Sequence, residues 1–133
     1  MDRKRLTKAA KKSLQVEQFG KSAEISIVLT DDEHIQELNR EYREADRPTD
    51  VLAFSQLEGE GAEVPGERVA LGDVVVSVDT AERQAADQGH ALEDELDLLI
   101  IHGVLHLLGH DDETDADAAD MRRREKRVLD ELK

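Results

Sequence analysis

The sequence contains no cysteine and no tryptophan, and only two Phe, one Tyr and two Pro among its 133 residues. The absence of cysteine excludes disulfide bonds, cysteine-ligated metal sites and a cysteine nucleophile. The scarcity of aromatic side chains excludes a binding surface built from stacked rings. No apolar run reaches the roughly 18 residues that cross a membrane, and the basic N-terminus lacks the apolar stretch of a secretory signal. We therefore expect a cytoplasmic protein with no membrane partner.

Acidic residues dominate the charge of the chain, because 32 Asp and Glu against 18 Lys and Arg give a net charge of −14. Net charge of this sign argues against nucleic acid as a partner, and we expect no DNA binding. The basic residues are grouped, however, in residues 1–21 and in the segment MRRREKR at 121–127. Such clusters are typical of solvated helix faces, but they could also follow the backbone of an RNA.

Hydrophobic periodicity predicts helices and strands in the order α-β-α-β-β-α-α-α, within a single domain covering residues 1–133. We predict strands at 24–29, 51–57 and 71–78, and helices at 3–18, from an N-cap at Thr30 to Arg47, from 79 or 80 to 88, at 92–108, and at 115–132. This order is typical of an α+β domain with a small mixed β-sheet packed against helices. The helix at 92–108 is apolar on nearly all sides, which predicts that it is buried at the centre.

Two histidines, His102 and His106, lie four residues apart in this apolar helix. The spacing places both imidazoles on one helix face, where they can hold one metal ion. Gly109 can end the helix in a left-handed turn, so that Asp112 returns to the same ion. The pattern H-x-x-x-H-x-x-G-x-x-D has the spacing of the metzincin motif, with Asp in place of the third His. His110 stays open as an alternative ligand, as a residue that supports the ligands, or as an exposed side chain.

A metal site is favoured over simple packing, because buried imidazoles need polar partners. Two imidazoles and one carboxylate suit an open Zn²⁺ site and also non-haem Fe(II). Their placement on one helix favours one zinc ion per chain. A metzincin protease needs glutamate directly after the first His as its general base. That position is Gly103 here, so peptide hydrolysis by that mechanism is not expected. His34 and His90 have no such context and are expected at the surface.

The segment HGVLHLLGHDD resembles the signature of the YbeY family of bacterial metal-dependent endoribonucleases. Three further segments, LNREYR, PTDVLAF and LGDVVVS, are similar to family segments in the same order. The resemblance implies a metal cleft between the long helix and the sheet, with His102 and His106 as ligands and Arg43 as the active-site arginine. The family has a third His where this chain has Asp112. Asp73 could orient a ligand histidine or lie in a turn.

The resemblance implies a zinc-dependent, single-strand-specific endoribonuclease that acts in late small-subunit ribosomal RNA maturation and ribosome quality control. Ribosomal RNA and components of the small ribosomal subunit are the expected partners. Two alternatives are a non-catalytic, zinc-containing ribosome-assembly factor and a metal-dependent hydrolase that acts on another substrate. An Asp ligand lowers the charge of the metal site by one unit relative to His. We therefore expect weaker activation by the metal or a different metal preference.

Overall fold

The elements follow one another as the hydrophobic pattern predicts, in a computed structural model that describes residues 3–20, 22–56 and 69–132. They are α1 (Arg3–Val16), β1 (Ala23–Thr30), α2 (Asp32–Arg43), β2 (Val51–Ser55), β3 (Val69–Ser77), α3 (Val78–Gln88), α4 (Leu92–Leu107) and α5 (Asp115–Leu132). The predicted α+β class and element order are confirmed. The predicted strand residue Leu57 lies outside the described residues. Within them, no helix combines the length and apolar character needed to cross a membrane.

The three strands form a mixed sheet in the order β1-β3-β2, with β3 at its centre. β1 runs parallel to β3, from the pair Ala23–Val69 to the pair Thr30–Ser77. β2 runs antiparallel to β3 between Val51 and Ser55. The side chains of β3 are almost all buried, as expected for a central strand covered on both faces.

The central helix α4 packs against one face of this sheet and is surrounded by α1, α3 and α5. Its side chains meet those of β3 in a core in which the following residues are fully buried: Leu71, Val74, Val76, Leu96, Ile100, Ile101, Val104 and Leu105. This burial explains why α4 is apolar on nearly all sides. A smaller cluster of Ile35, Leu52 and Val75 lies on the other face of the sheet, under α2.

Gly103 sets the distance between α4 and the sheet. A Cβ atom at this position would lie 2.6 Å from Cγ1 and 3.1 Å from Cγ2 of Val74 on β3. The first separation is shorter than carbon atoms tolerate in a packed core, and the second is tighter than an ordinary van der Waals contact. The helix therefore approaches the strand closely because residue 103 has no side chain.

The start of α2 differs from the sequence prediction, because Asp31 and not Thr30 is its N-cap. The Asp31 side chain accepts a hydrogen bond of 2.8 Å from the backbone N–H of His34. Thr30 is instead the last residue of β1, where it pairs with Ser77. The helix also ends before the predicted Arg47, since Glu44 adopts a left-handed conformation with φ of 57° and closes it.

The carboxylate of Asp32 connects the starts of α2 and α3. It accepts hydrogen bonds from Ser77 Oγ and Thr80 Oγ1, both at 2.6 Å, and from Arg83 Nη2 at 2.7 Å. The hydrogen bonds from Ser77 and Thr80, followed by the contribution of Arg83, lower the pKa of Asp32 to about 2. Ser77 also caps α3, which therefore begins at Val78, earlier than predicted.

Candidate metal centre

The imidazoles of His102 and His106 face each other from the last two turns of α4. Their Nε2 atoms are 3.0 Å apart, and their ring centroids are separated by 4.6 Å at an interplanar angle of 76°. Two nitrogen ligands on a tetrahedral zinc ion lie about 3.3 Å apart, given zinc–nitrogen bonds of roughly 2.05 Å. The two histidines thus have almost the separation that a shared ion requires.

Asp112 returns to these histidines after a reversal of the chain at Gly109. The glycine has φ of 100°, in the left-handed region, and the N–H of His110 closes the turn on Leu105 O at 3.1 Å. The carboxylate oxygens of Asp112 lie 3.7 Å from His102 Nε2 and 4.0 Å from His106 Nε2. One donor atom from each of the three side chains lies within 4.8 Å of the others. The structure therefore brings the three predicted ligands together, in a donor set that fits a zinc ion.

His102, His106 and Asp112 form the candidate ligand group. Glu125 on α5 contacts the side of the His102 ring that points away from the other two residues. Its Oε2 atom lies 2.5 Å from His102 Nδ1, and its side chain is only 12% exposed. A carboxylate at Nδ1 fixes the ring and leaves Nε2 for a metal. The spacing of the histidine motif does not predict Glu125 as a partner of His102. The available signal was its position on the apolar face of α5, between the buried Met121 and Val128.

The two imidazoles have pKa shifts of opposite direction. Burial disfavours protonation of His102, but the hydrogen bond and charge of Glu125 outweigh burial and raise the pKa of His102. Burial and the neighbouring charge of His102 lower the pKa of His106. The Nε2–Nε2 contact of 3.0 Å needs one proton between the two rings. Zinc needs both Nε2 atoms deprotonated, so metal binding must displace a proton.

The ligand group opens into a cleft of about 600 Å³. One wall is the C-terminal half of α4, and the other is the outer edge of β2 with the two residues before it, so that every residue from Thr49 to Ser55 lines the space. β2 pairs only with β3 within the described sheet. Alternate residues of β2 form the hydrogen bonds to β3: Ser77 N–H donates to Asp50 O, and Gln56 N–H donates to Leu71 O. Ala53 is separated from both Asp50 and Gln56 by an odd number of positions, so its backbone points away from β3 and faces the cleft.

Arg43, the last residue of α2, lies in the same cleft as the three ligands. Its Nη2 donates to Ala53 O at 2.6 Å, and its guanidinium carbon lies 5.1 Å from the centre of the Phe54 ring. Tyr42 meets the same ring edge-on at 5.3 Å. The arginine is thus fixed at the cleft wall by a backbone carbonyl and an aromatic face.

Asp73 does not reach the ligand histidines, and the expectation that it orients one of them is wrong. It lies within β3, where side chains alternate between the two faces of the sheet. Val74 faces α4, whereas Asp73 lines a groove on the α2 side with His34 and Tyr42. The turn alternative is also wrong, since Asp73 pairs with Ser26 in mid-strand.

His110 and His90 also have partners that the sequence pattern did not show. His110 Nε2 lies 2.7 Å from Oε1 of Glu17. Among the described residues, His110 is not part of the group that could hold a metal ion. The backbone of His110 forms a hydrogen bond to the His106 ring, while its side chain is directed at Glu17. His90 is expected at the surface but is half-buried and contacts the buried Glu95 at 2.7 Å. His34 is exposed, as predicted.

The chain matches the sequence model of the family described as Endoribonuclease YbeY over residues 1–133. It belongs to the YbeY family. The Endoribonuclease YbeY of Pelotomaculum thermopropionicum is 49% identical over 127 residues, which cover 96% of this chain and 84% of that relative. The relative from Desulforamulus reducens is 46% identical over 125 residues, covering 92% and 80%. These YbeY relatives are named as endoribonucleases, enzymes that hydrolyse RNA phosphodiester bonds.

The fold of this YbeY-family chain is also similar to a solution structure from Thermotoga maritima. The TM-score is 0.62 at 29% identity, with 99% of this chain and 84% of the other covered. The resemblance drawn from HGVLHLLGHDD and the three further segments is thereby confirmed at the level of family and fold.

Proposed function

We propose that the protein is a zinc-dependent, single-strand-specific endoribonuclease that matures late small-subunit ribosomal RNA and acts in ribosome quality control in the cytoplasm. The observation that carries this proposal is the cleft, in which Arg43 faces the same space as His102, His106 and Asp112. Membership of the YbeY family supplies the substrate class. A cation and a metal-ligand group in one space are the combination that phosphodiester hydrolysis requires.

A zinc ion held by His102, His106 and Asp112 would supply Lewis-acid chemistry and an acidified water molecule. Glu125 keeps Nε2 of His102 directed at that position through its hydrogen bond to Nδ1. Arg43 binds the phosphate, because a guanidinium group offers five N–H donors and only one of its contacts is used by Ala53 O. The pairing of Arg43 with a carbonyl at the strand edge places its remaining donors along the cleft.

Asp50 is the candidate proton acceptor. Its carboxylate lines the cleft, accepts from the Val51 N–H at 2.7 Å and from Gln84 Nε2 at 3.2 Å, and its charge reaches His102. Asp112 belongs to the ligand group, so Asp50 is the carboxylate among the described lining residues that is left for general base catalysis.

The cleft favours an unpaired strand. Its volume lies in the range of sites that enclose a small ligand, which suits individual nucleotides better than the side of a duplex. The outward-facing N–H of Ala53 at the β2 edge, whose carbonyl is taken by Arg43, can donate to bases only where their edges are not already paired.

The test combines metal content with RNA cleavage for the wild type, His102→Ala and the control His34→Ala, which changes an exposed histidine outside the cleft. We expect about one zinc per chain and cleavage of single-stranded but not double-stranded RNA in the wild type and in His34→Ala. His102→Ala should lose both metal and cleavage. Precursors of small-subunit ribosomal RNA should accumulate in cells that carry only His102→Ala.

Two results would contradict the proposal. Retention of zinc without cleavage of any RNA would identify an assembly factor in which the metal is structural. Cleavage of other phosphoesters but not RNA would identify a hydrolase with a different substrate.

A further inference from the structure

Helix α1 carries an unusual concentration of positive charge for so acidic a chain. Its 14 residues contain six of the 18 Lys and Arg and no Asp or Glu. Arg5 is used internally, since its Nη2 contacts Asp94 and Asp97 of α4 at 2.8 and 2.9 Å. The other five cations line one outer surface together with Thr7 and Gln15: Arg3, Lys4, Lys8, Lys11 and Lys12. We call these five residues the α1 stripe.

Helix geometry separates the α1 stripe from the core. The buried residues of α1, which include Leu6, Ala9 and Ala10, face α4 and α5. Lys4, Lys8 and Lys12 are spaced by four residues and share the opposite face. At 1.5 Å per residue, the stripe from 3 to 12 is about 14 Å long.

The cations of α5 are arranged differently, because acidic partners neutralise several of them. Arg124 contacts Glu17 at 2.7 Å and Asp120 at 2.8 Å, and Lys126 contacts Asp130 at 3.2 Å. By contrast, among residues 3–20, 22–56 and 69–132, Arg3, Lys8, Lys11 and Lys12 form no ion pair. Neighbouring like charges at this spacing destabilise a helix. A polyanion laid along the stripe would remove that repulsion.

The α1 stripe lies apart from the cleft. The side of α1 that carries Leu6 and Thr7 borders Ile25 and Ile27 of β1, whereas the cleft borders β2. β1 and β2 are the two opposite edges of the sheet. A ligand on the stripe is therefore remote from the scissile bond.

We propose that the α1 stripe is a second RNA-docking surface, which holds the phosphate backbone of a base-paired part of the RNA whose unpaired segment enters the cleft. This proposal rests on the proposed function and adds a partner surface to it. Charge complementarity carries the argument, since RNA is a polyanion and the stripe is cationic on an acidic protein. The stripe contains no aromatic side chain for stacking unpaired bases. Lysine and arginine contacts to phosphates suit a helix that is recognised by shape rather than sequence.

The experiment compares two triple variants with the same net charge. Lys8→Gln, Lys11→Gln and Lys12→Gln together remove three charges from the stripe, and Arg123→Gln, Arg124→Gln and Lys126→Gln together remove three ion-paired charges from α5. Fluorescence anisotropy measures binding to an RNA hairpin with an unpaired tail over a range of salt concentrations. Cleavage of a short unpaired oligonucleotide reports on the cleft alone, and thermal melting checks that both variants fold.

For the stripe variant we expect a salt slope reduced by about 2 to 3 and hairpin affinity lowered roughly tenfold or more. Its cleavage of the short oligonucleotide should equal that of the wild type, and the α5 variant should keep the wild-type slope. Equal slopes for the two variants would overturn the proposal. The proposal would also be overturned if the stripe variant lost binding to vesicles of anionic lipid but kept its binding to the hairpin.

The binding measurement needs neither metal nor cleavage. Failure of the proposed function would appear as absent cleavage with stripe-dependent hairpin binding intact. Failure of the docking surface would appear as normal cleavage with an unchanged salt slope.

Discussion

Glu125 Oε2 lies 2.5 Å from His102 Nδ1 and joins the last helix of the chain to the central one. The contact spans 23 residues of sequence and makes the highly charged α5 part of the candidate metal centre. A carboxylate at this position fixes which imidazole nitrogen is free, and loss of an outer partner of this kind typically weakens metal binding about 10- to 100-fold.

Replacing this carboxylate should weaken metal binding without unfolding the chain. For Glu125→Gln we expect zinc affinity to fall about 10- to 100-fold, because the amide holds the ring less firmly and lacks the charge. Competition with a chromogenic chelator measures the affinity. Glu131→Gln, which changes an exposed glutamate on the same helix, is the matched control. Equal affinities for the two variants would exclude the role of Glu125.

Asp112→His should change metal preference. Imidazole favours zinc, whereas a carboxylate suits harder ions such as Mn²⁺, so the substitution should raise the ratio of zinc to manganese affinity. Competition between the two ions, followed by elemental analysis, measures that ratio. Asp112→Ala should lower the affinity for both ions. Loss of zinc from Asp112→His would show that residue 112 is not a ligand.

Arg43→Ala should lower RNA cleavage about 10²- to 10³-fold, as expected when a donor to developing phosphate charge is removed. Zinc content should not change, because Arg43 contacts Ala53 and Phe54 rather than the ligands. Single-turnover cleavage separates this effect from substrate release. Arg40→Ala, on the exposed side of the same helix, is expected to behave as the wild type. A fully active Arg43→Ala would remove the residue from the mechanism.

Asp50→Asn tests the candidate general base. The amide keeps the shape of the side chain but accepts no proton, so we expect the cleavage rate to fall about 10²- to 10⁴-fold. Asp46→Asn, whose carboxylate contacts Gln36 outside the cleft, is the control. Wild-type rates for Asp50→Asn would require another route for the proton.

Asp32→Asn should destabilise the fold in a pH-dependent manner. The pKa of Asp32 is lowered to about 2 by Ser77, Thr80 and Arg83, so the folded state favours the ionised carboxylate. That contribution is complete above the unfolded-state pKa near 3.8 and is lost as pH falls towards 2. We expect a loss of about 1 kcal/mol at pH 7. Urea denaturation at pH 7 and pH 3 measures it.

Asp87→Asn, on the exposed surface of α3, is the control for this substitution and should leave the free energy of unfolding unchanged. A penalty for Asp32→Asn that is equally large at pH 3 and pH 7 would contradict the linkage argument.

Features that depend on local sequence patterns are predicted better than contacts between elements that are distant in the sequence. The His102–His106 pair lies within one helix, and Gly109 sets the return of Asp112 over a few residues, so their grouping follows from local geometry. Glu125 approaches from another helix, and no spacing rule indicates which residue of α5 faces His102. The prediction for Asp73 is wrong because the side of the sheet that a strand residue faces depends on register and on which helix covers each face.

The predicted start of α2 differs from the observed start by one residue for a similar reason. Thr30 and Asp31 are both good N-cap residues, and propensity does not distinguish them. The pairing of Thr30 with Ser77 on β3 commits it to the sheet, which leaves Asp31 as the cap.

The close packing of Gly103 on Val74 also limits how this chain can evolve. A glutamate directly after the first histidine would supply the general base of the protease-type motif. Here the new side chain would begin 2.6 Å from Cγ1 of Val74, inside the packed core rather than above the metal ligands. A glutamate at this position would require a smaller residue at position 74 or a wider spacing between α4 and β3. The packing of the sheet on α4 therefore disfavours the residue on which peptidase chemistry of this type depends.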